Sequence, residues 1–217
     1  MSQLIRHLNK TYGNKEQDSV HEIICDTIVT KELSQESKVL LEKYQHAKSL
    51  SFISCQLKSL KNLPNIPSIE EVQFSDNHIS GNELSYLLIY PKLTKIKLCN
   101  NLIKEIKDLK CFQELKDLSS LDLSECPVTL LPQYREKMFE MLPQLKYLDL
   151  VSKTGENCSD DDDQEDEEEE EEENEKDNDS FVVEDEEEEG EDEEEEEEEA
   201  PENKEDEYTP GKKRKVD

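Results

Sequence analysis

One apolar pattern, L-x-x-L-x-L-x-x-N/C-x-L, recurs along the first 155 residues and constrains the fold more than any other feature of the chain. Its clearest copy has Leu93, Ile96, Leu98, Asn101 and Ile103 at the defining positions. Copies begin at residues 20, 47, 69, 93, 118 and 145, so they follow one another at 22 to 27 residues. A period of this length predicts a stack of repeats, because a single repeat cannot bury its own apolar face.

The spacing within each copy predicts which segments are strands. The fourth and sixth positions alternate with polar ones, as a half-buried strand requires. The Asn or Cys at the ninth position is expected to face inward and to satisfy turn backbone that no strand reaches. This is the leucine-rich repeat pattern. We therefore predict an α/β leucine-rich repeat solenoid with a curved parallel β-sheet on its concave face and helical, 3-10 or irregular segments on its convex side.

Both ends of such a solenoid need covers. Residues 2–12 are predicted to form a capping helix, and residues 134–142 a second one that Pro143 ends. The apolar residues expected to face inward in these two caps are Leu4, Ile5, Leu8, Tyr12, Met138, Phe139 and Leu142.

The third, fifth and seventh positions of each repeat are expected on the concave face, with Val151 ending the seventh-position column. They mix both charges with small hydroxyls, which is typical of a protein-docking face rather than a catalytic pocket. The candidate docking residues are Glu22, Asp26, Ser51, Glu71, Gln73, Lys95, Lys97, Asp122, Tyr147 and Asp149.

Little in the sequence indicates catalysis. The four histidines have no metal-ligand spacing, the six cysteines form no CxxC pair, and no Gly-rich phosphate loop is present. Asp122 and Asp149 are expected near each other, and a carboxylate pair can transfer protons, but an open sheet face does not favour that role. We expect His7 and His78 to be surface residues and the thiols to be reduced. No enzyme activity, metal or cofactor is predicted.

Charge divides the chain into two parts. Residues 1–155 carry 20 basic and 20 acidic side chains, whereas residues 156–217 carry 6 and 37, which accounts for the whole net charge of −31. The second part has too few apolar residues to form a core, so we predict a disordered acidic tail over 156–210. This charge disfavours direct nucleic-acid binding and anionic membranes, and it favours basic proteins as partners. No membrane span or signal peptide is expected.

The sign reverses in residues 211–217, where a basic run next to Pro210 and Gly211 predicts a nuclear import signal. It is formed by Lys212, Lys213, Arg214 and Lys215. Ser159 precedes four Asp residues and Thr209 precedes Pro210, so both are candidate phosphorylation sites. Six lysines between residues 92 and 110 form the one basic concentration in the repeat domain, expected to be either a solvated surface or a site for acidic segments.

Several segments together resemble the acidic leucine-rich nuclear phosphoprotein 32 family: residues 93–101, residues 134–149, residues 182–187 and the terminal basic run. Two positions depart from the family pattern, since Leu150 stands where Gly is usual and Cys25 replaces a core Leu. The resemblance implies a nuclear and nucleocytoplasmic protein that binds histones, acts as a histone chaperone or blocks histone acetylation. In some members it implies inhibition of a type-2A serine/threonine phosphatase.

The leading hypothesis is thus a non-enzymatic nuclear protein that binds histones and other basic proteins through its tail and its repeat face. A phosphatase inhibitor that docks through the repeat face is the alternative. A third hypothesis, a spliceosomal leucine-rich repeat partner of a ribonucleoprotein, has a similar terminal cap, but the long acidic tail argues against it.

Overall fold

Each repeat contributes one short strand, and the strands stack in chain order into a single sheet. In the computed structural model, which describes residues 2–157, β1 to β6 are parallel and β7 runs antiparallel to β6. Each of β1 to β6 begins two residues after a repeat start. The strands are β1 (Glu22–Ile24), β2 (Ser49–Ser51), β3 (Glu71–Gln73), β4 (Lys95–Lys97), β5 (Ser120–Asp122), β6 (Tyr147–Leu148) and β7 (Val151–Ser152).

The central residue of each repeat strand points into the core. Ile23, Leu50, Val72, Ile96 and Leu121 are aligned by the strand register and are all fully or almost fully buried. Each such side chain contributes about 1.5–3 kcal/mol through its removal from water. The row is continuous from repeat to repeat, so every repeat depends on its neighbours for burial.

The ninth-position amides join neighbouring repeats, as the pattern predicts. Asn77 is buried, and its Oδ1 accepts from the backbone N–H groups of Cys55 (3.1 Å) and Leu57 (2.8 Å) in the preceding repeat. Its Nδ2 donates to the carbonyl of Phe52 at 2.7 Å. At the same position Cys126 is buried, with its thiol 3.2 Å from the carbonyl of Leu98. These contacts satisfy turn backbone that the three-residue strands leave unpaired.

The residue before each ninth position has left-handed backbone, which the pattern does not predict. These residues have φ between 52° and 62°, and none is glycine: Thr27, Ser54, Asp76, Asn100 and Glu125. The left-handed residue turns the chain out of the strand so that the next side chain faces the core. Asn and Asp adopt this conformation at little cost, whereas a β-branched Thr or a Glu is strained there.

The amino-terminal cap covers the free edge of the sheet. Helix α1 (Gln3–Tyr12) begins at Ser2, whose hydroxyl accepts from the Ile5 N–H at 3.2 Å, and it buries all four apolar residues expected. The Tyr12 hydroxyl accepts from the outward-facing N–H of Ile24 at 2.7 Å. A ring nitrogen of His7 lies 3.0 Å from the carbonyl of Ile24. These contacts occupy edge groups that could otherwise pair with another chain.

The carboxyl-terminal cap combines a helix with a reversal of the chain. Helix α3 (Tyr134–Met141) ends one residue before the predicted limit. Of the three apolar residues expected to face inward, Met138 and Phe139 lie in the helix and Leu142 directly after it, and all three are buried. The chain then reverses at Asp149 and Leu150, both with positive φ, so that Val151 pairs with Leu148. The prediction that Val151 continues a concave column was therefore wrong, because the parallel ladder ends at β6.

The convex side carries 3-10 segments at Gly81–Ile89, Ile106–Glu114 and Pro127–Leu130, and a further one, Gln17–Ser19, precedes β1. One further helix, α2 (Gln35–Leu41), lies between β1 and β2 in one of the longest repeats. Within residues 2–157, no helix is long and apolar enough to cross a membrane.

Candidate docking surface

The strand register arranges the candidate docking residues in columns across the sheet. One column aligns Glu22, Ser49, Glu71, Lys95, Ser120 and Tyr147. The next aligns Ile24, Ser51, Gln73, Lys97 and Asp122. Asp26 and Asp149 follow the ends of β1 and β6. The structure therefore places all ten candidates on the concave strands or directly after them.

Two of the ten expose little of their side chains. Ser51 is 4% exposed, and its hydroxyl donates to a carboxylate oxygen of Asp26 at 2.6 Å. The same Asp26 oxygen accepts from the Ile53 N–H at 2.8 Å. Asp122 is 9% exposed and accepts from the Ser124 N–H at 2.9 Å. Ser51 thus binds Asp26 in the turn after the neighbouring strand β1, and Asp122 holds the turn after its own strand β5. Sequence position alone could not show that these polar groups have internal partners.

The middle of the face holds a small network of opposite charges. Lys97 Nζ lies 3.0 Å from Glu71 Oε1, which also accepts from the Gln73 side-chain amide at 2.8 Å. All three side chains are half-exposed. The ion pair contributes at most about 1 kcal/mol at such exposure. The ion pair leaves the middle of the concave face polar and nearly neutral.

Negative charge collects where the parallel strands end. We call Asp76, Glu125 and Asp149 the acidic rim; they follow β3, β5 and β6. Asp76 accepts from the Asn100 amide at 2.8 Å, and Glu125 is exposed to solvent. Partial burial raises the pKa of the nearby Cys99 thiol to about 11, with the carboxylates of Asp122, Glu125, Asp76 and Asp149 adding to the shift. Cys99 is therefore a protonated, unreactive thiol at neutral pH.

Asp149 takes part in the carboxyl-terminal cap. Its Oδ1 accepts from the Leu123 N–H at 2.8 Å, and the Tyr134 hydroxyl donates to it at 3.4 Å. Burial raises the pKa of Asp149, and the charge of Asp122 acts in the same direction. The internal hydrogen bonds of both carboxylates support a structural role for them rather than proton transfer. Among residues 2–157, no group of three or more His, Cys, Asp or Glu side chains could hold a metal ion.

The six lysines near residues 92–110 do not form one surface. Lys95 and Lys97 lie on β4, whereas Lys107 and Lys110 lie on the convex segment Ile106–Glu114. Lys107 pairs with Glu105 at 2.6 Å. This division favours the solvated-surface interpretation. His78 is exposed, as expected, and His7 is partly covered by its contact with β1.

Comparison with known proteins identifies the family. The family model described as "Leucine-rich repeat" matches residues 43–172, more than half of the chain. The chain belongs to the leucine-rich repeat family. Members of this family share a fold suited to protein–protein interaction, and the concave columns described above are this chain's version of that surface.

Two curated proteins are similar to part of this chain. The chain is 38% identical over 121 residues to acidic leucine-rich nuclear phosphoprotein 32 family member A of Drosophila pseudoobscura pseudoobscura, covering 56% of this chain and 44% of that protein. It is 39% identical over 121 residues to the Drosophila melanogaster protein of the same name, with the same coverage. These matches confirm the family resemblance. The chain matches less than half the length of these relatives.

The chain also superposes in part on two solved structures. A chain of the Drosophila melanogaster SNF/U2A' complex superposes with a TM-score of 0.49 and 25% identity, covering 59% of this chain and 73% of that one. A chain from the Chaetomium Mex67:Mtr2 subunits gives a TM-score of 0.43 and 21% identity, covering 69% and 89%.

Some of the predicted sites lie outside residues 2–157, the part that the structure describes. These are the acidic tail from residue 158 onward, the candidate phosphorylation sites Ser159 and Thr209, and the import signal at Lys212, Lys213, Arg214 and Lys215. They remain predictions from sequence.

Proposed function

We propose that this chain is a non-enzymatic nuclear interaction protein that binds histones and other basic proteins. The observation that carries the proposal is the separation of charge: 37 acidic residues are concentrated in residues 156–217, beside a repeat domain whose charges sum to zero. A role for the repeat domain alone, or for the acidic segment alone, would not explain why one chain carries both. A repeat domain of zero net charge supplies a shaped surface, and a polyanion supplies long-range attraction.

The acidic segment acts as a mimic of nucleic acid. Duplex DNA carries one negative charge per about 1.7 Å, and proteins that bind it do so by placing Lys and Arg against those charges. Residues 160–173 and 184–199 are almost entirely Asp, Glu or their amides, with a single Gly. A basic protein that binds DNA through such contacts therefore binds these blocks as well, and added salt weakens that binding steeply.

The repeat face supplies selectivity among basic partners. Charged acidic blocks alone bind any polycation, because screened attraction between opposite charges is not directional. The concave columns present fixed groups, among them Glu71, Gln73 and Lys97, whose positions are set by the strand register. A partner that fits this surface gains a second, short-range contact. We propose histone chaperone activity and regulation of chromatin and transcription as its biological outcome.

A nuclear location fits this role. Both curated relatives are named as nuclear phosphoproteins. The basic run at residues 212–215 has the composition of an import signal, so a nuclear import receptor is a further proposed partner. Shuttling to the cytoplasm and phosphorylation of Ser159 and Thr209 belong to the same proposal.

A histone pull-down across a salt series tests the proposal. The full chain is compared with residues 1–155 and with a full-length variant in which the Asp and Glu residues of the two acidic blocks become Asn and Gln. The neutral variant keeps chain length and hydrogen-bonding groups, so it isolates charge. We expect the full chain to retain histones at low salt and both altered proteins to lose most of them. Equal retention by the neutral variant would refute the proposal.

The alternative is inhibition of a type-2A serine/threonine phosphatase through the repeat face. The ordered columns of the concave sheet favour it, since they offer a rigid surface independent of the acidic segment. The same proteins separate the two functions. Inhibition that persists with residues 1–155, while histone retention is lost, would support the alternative.

A further inference from the structure

The amino-terminal cap occupies only part of the outward edge of β1. The carbonyl of His21 and the N–H of Cys25 are bonded to β2, so the N–H and C=O groups of Glu22 and Ile24 point outward. Those of Ile24 are bound by the cap. Those of Glu22 have no hydrogen-bond partner in the part of the chain that the structure describes. One residue of the edge is therefore able to pair with another chain.

An open cavity of about 590 Å³ adjoins this edge on the side of the cap. Its lining is mainly apolar and includes Tyr12, Val20 and the 48% exposed Ile24, beside Glu22. The Lys15 ammonium lies 5.1 Å from the ring centre of Tyr12, so the cap side of the cavity carries a positive charge. There is thus room beside Glu22 for one further extended segment, with its apolar side chains toward the cap.

The concave side of the same edge is acidic. Glu22 is exposed and forms no ion pair among residues 2–157, and Asp26 follows the strand. The neighbouring strand β2 adds only Ser49 and Ser51 to the concave columns, and the first lysines of these columns lie on β4. A basic side chain is therefore favoured on the concave side of an added segment and disfavoured on the cap side.

We propose that the edge of β1 at Glu22 is a docking site for an extended basic segment of a partner protein. The inference rests on the proposed function, since it names the part of a basic partner that the repeat face binds. An antiparallel segment satisfies both outward groups of Glu22 with a single residue, because two facing residues exchange both N–H···O=C bonds. That residue is Lys or Arg, since its side chain lies beside the Glu22 carboxylate. Its two neighbours in the segment point toward the apolar cavity.

A titration of the isotope-labelled full-length protein with a synthetic peptide tests the inference by nuclear magnetic resonance. The peptide is acetyl-Thr-Val-Lys-Val-Thr-amide, and its matched control carries a methyl group on the backbone nitrogen of the lysine. The control keeps the charge and the apolar side chains but cannot donate to the Glu22 carbonyl. Backbone amide shifts of residues 20–25 are followed at about 0.5 M salt, where exposed charges are largely screened.

We expect the unmodified peptide to shift the amides of residues 20–25, most of all that of Glu22, whose N–H gains an acceptor. Methylation of the peptide should weaken binding about fivefold, as for the loss of one backbone hydrogen bond. Equal binding of both peptides, or no shift in residues 20–25, would overturn the inference.

Two substitutions at Glu22 separate the backbone from the side chain. Glu22→Pro removes the outward N–H and leaves the ladder to β2 intact, since Pro is tolerated at the first residue of an edge strand. It should weaken peptide binding about tenfold. Glu22→Gln keeps the N–H and should weaken binding about twofold, as for one cross-strand charge pair. Equal effects of the two substitutions would contradict pairing through the backbone.

The inference and the proposed function fail in different ways. Circular dichroism shows whether both variants are folded, and the comparison of the two peptides decides the matter if Glu22→Pro is not. Failure of the full chain to retain histones at low salt would count against the proposed function. If histones are retained but both peptides bind equally, with affinity that falls steeply as salt rises, charge alone binds them and the inference is wrong.

Discussion

At the scale of single residues, backbone conformation explains why Leu150 is an unfavourable choice. Its φ is 63° and its side chain is 51% exposed. Leu150 therefore adopts a strained left-handed backbone without the stabilisation that burial of its side chain would give. A non-glycine residue in this region costs about 1–2 kcal/mol. The sequence indicated this position only through the Gly usual in similar proteins, because a repeat pattern of apolar residues carries no information on φ.

Replacing Leu150 with Gly is expected to stabilise the domain. Gly adopts this φ freely, and the gain is reduced by the greater freedom of Gly in the unfolded chain, leaving up to about 1 kcal/mol. Thermal melting should show a midpoint higher by about 2–4 °C. Leu131→Gly is the matched control, since Leu131 is also exposed but has φ −73°, and it should lower the midpoint. A lower midpoint for Leu150→Gly would contradict the account.

Asp149 is expected to give a pH-dependent cost in stability. Burial raises its pKa above the ordinary 3.8, so its ionised form is less favourable in the folded chain than in the unfolded one. The folded state therefore binds the proton more readily, and the cost, full at neutral pH, disappears as pH falls through the raised pKa toward 3.8.

Asp149→Asn should therefore raise the free energy of unfolding at pH 7, because the amide oxygen still accepts from Leu123 and Tyr134 while the charge is gone. The gain over wild type should shrink as pH falls through the raised pKa of Asp149 and be lost below 3.8. Urea unfolding at several pH values measures this difference, with Asp117→Asn at an exposed position as the control. A variant that is less stable than wild type at pH 7 would show that the charge itself supports the cap.

At the scale of elements, the ninth-position amides hold adjacent repeats together. Asn77→Ala removes the acceptor for the Cys55 and Leu57 N–H groups and the donor for three carbonyls. Each buried group left without a partner costs about 1–3 kcal/mol, so the loss should exceed about 3 kcal/mol. Chemical unfolding measures the loss, and Asn9→Ala on the exposed face of α1 should cost under about 1 kcal/mol. A small loss for Asn77→Ala would mean that water replaces the amide.

The elements also show what periodicity can and cannot predict. The strands, the two capping helices and the inward amides follow from apolar spacing, because burial alone decides them. Helix α2 could not be predicted from apolar spacing, because it occupies the variable part of a long repeat and depends on local capping by Ser34. The reversal into β7 does not follow from spacing either, since it depends on two left-handed residues and on the hydrogen bonds that Arg135 donates to the carbonyls of Leu148, Val151 and Ser152. The buried state of Asp122 likewise depends on a turn hydrogen bond that no spacing reveals.

At the scale of the whole molecule, the proposed function depends on the distribution of charge rather than on a pocket. The columns of the concave sheet could be listed from sequence because parallel strands in register align equivalent repeat positions. The direction of the chain at Asn157 could not be predicted from sequence, because it is set by two antiparallel reversals, the first between β6 and β7 and the second between Val151 and Asn157. One chain thus carries a repeat domain of zero net charge and a dense polyanion.

The most direct test of the central claim is the salt dependence of core-histone affinity for the full-length protein. Titrations at several monovalent salt concentrations give the slope of log affinity against log salt. The account predicts tight binding at low salt with a steep negative slope, and a shallow slope with weak binding when the Asp and Glu residues of 160–173 and 184–199 become Asn and Gln. Absence of binding at low salt, or the same slope for both proteins, would contradict it.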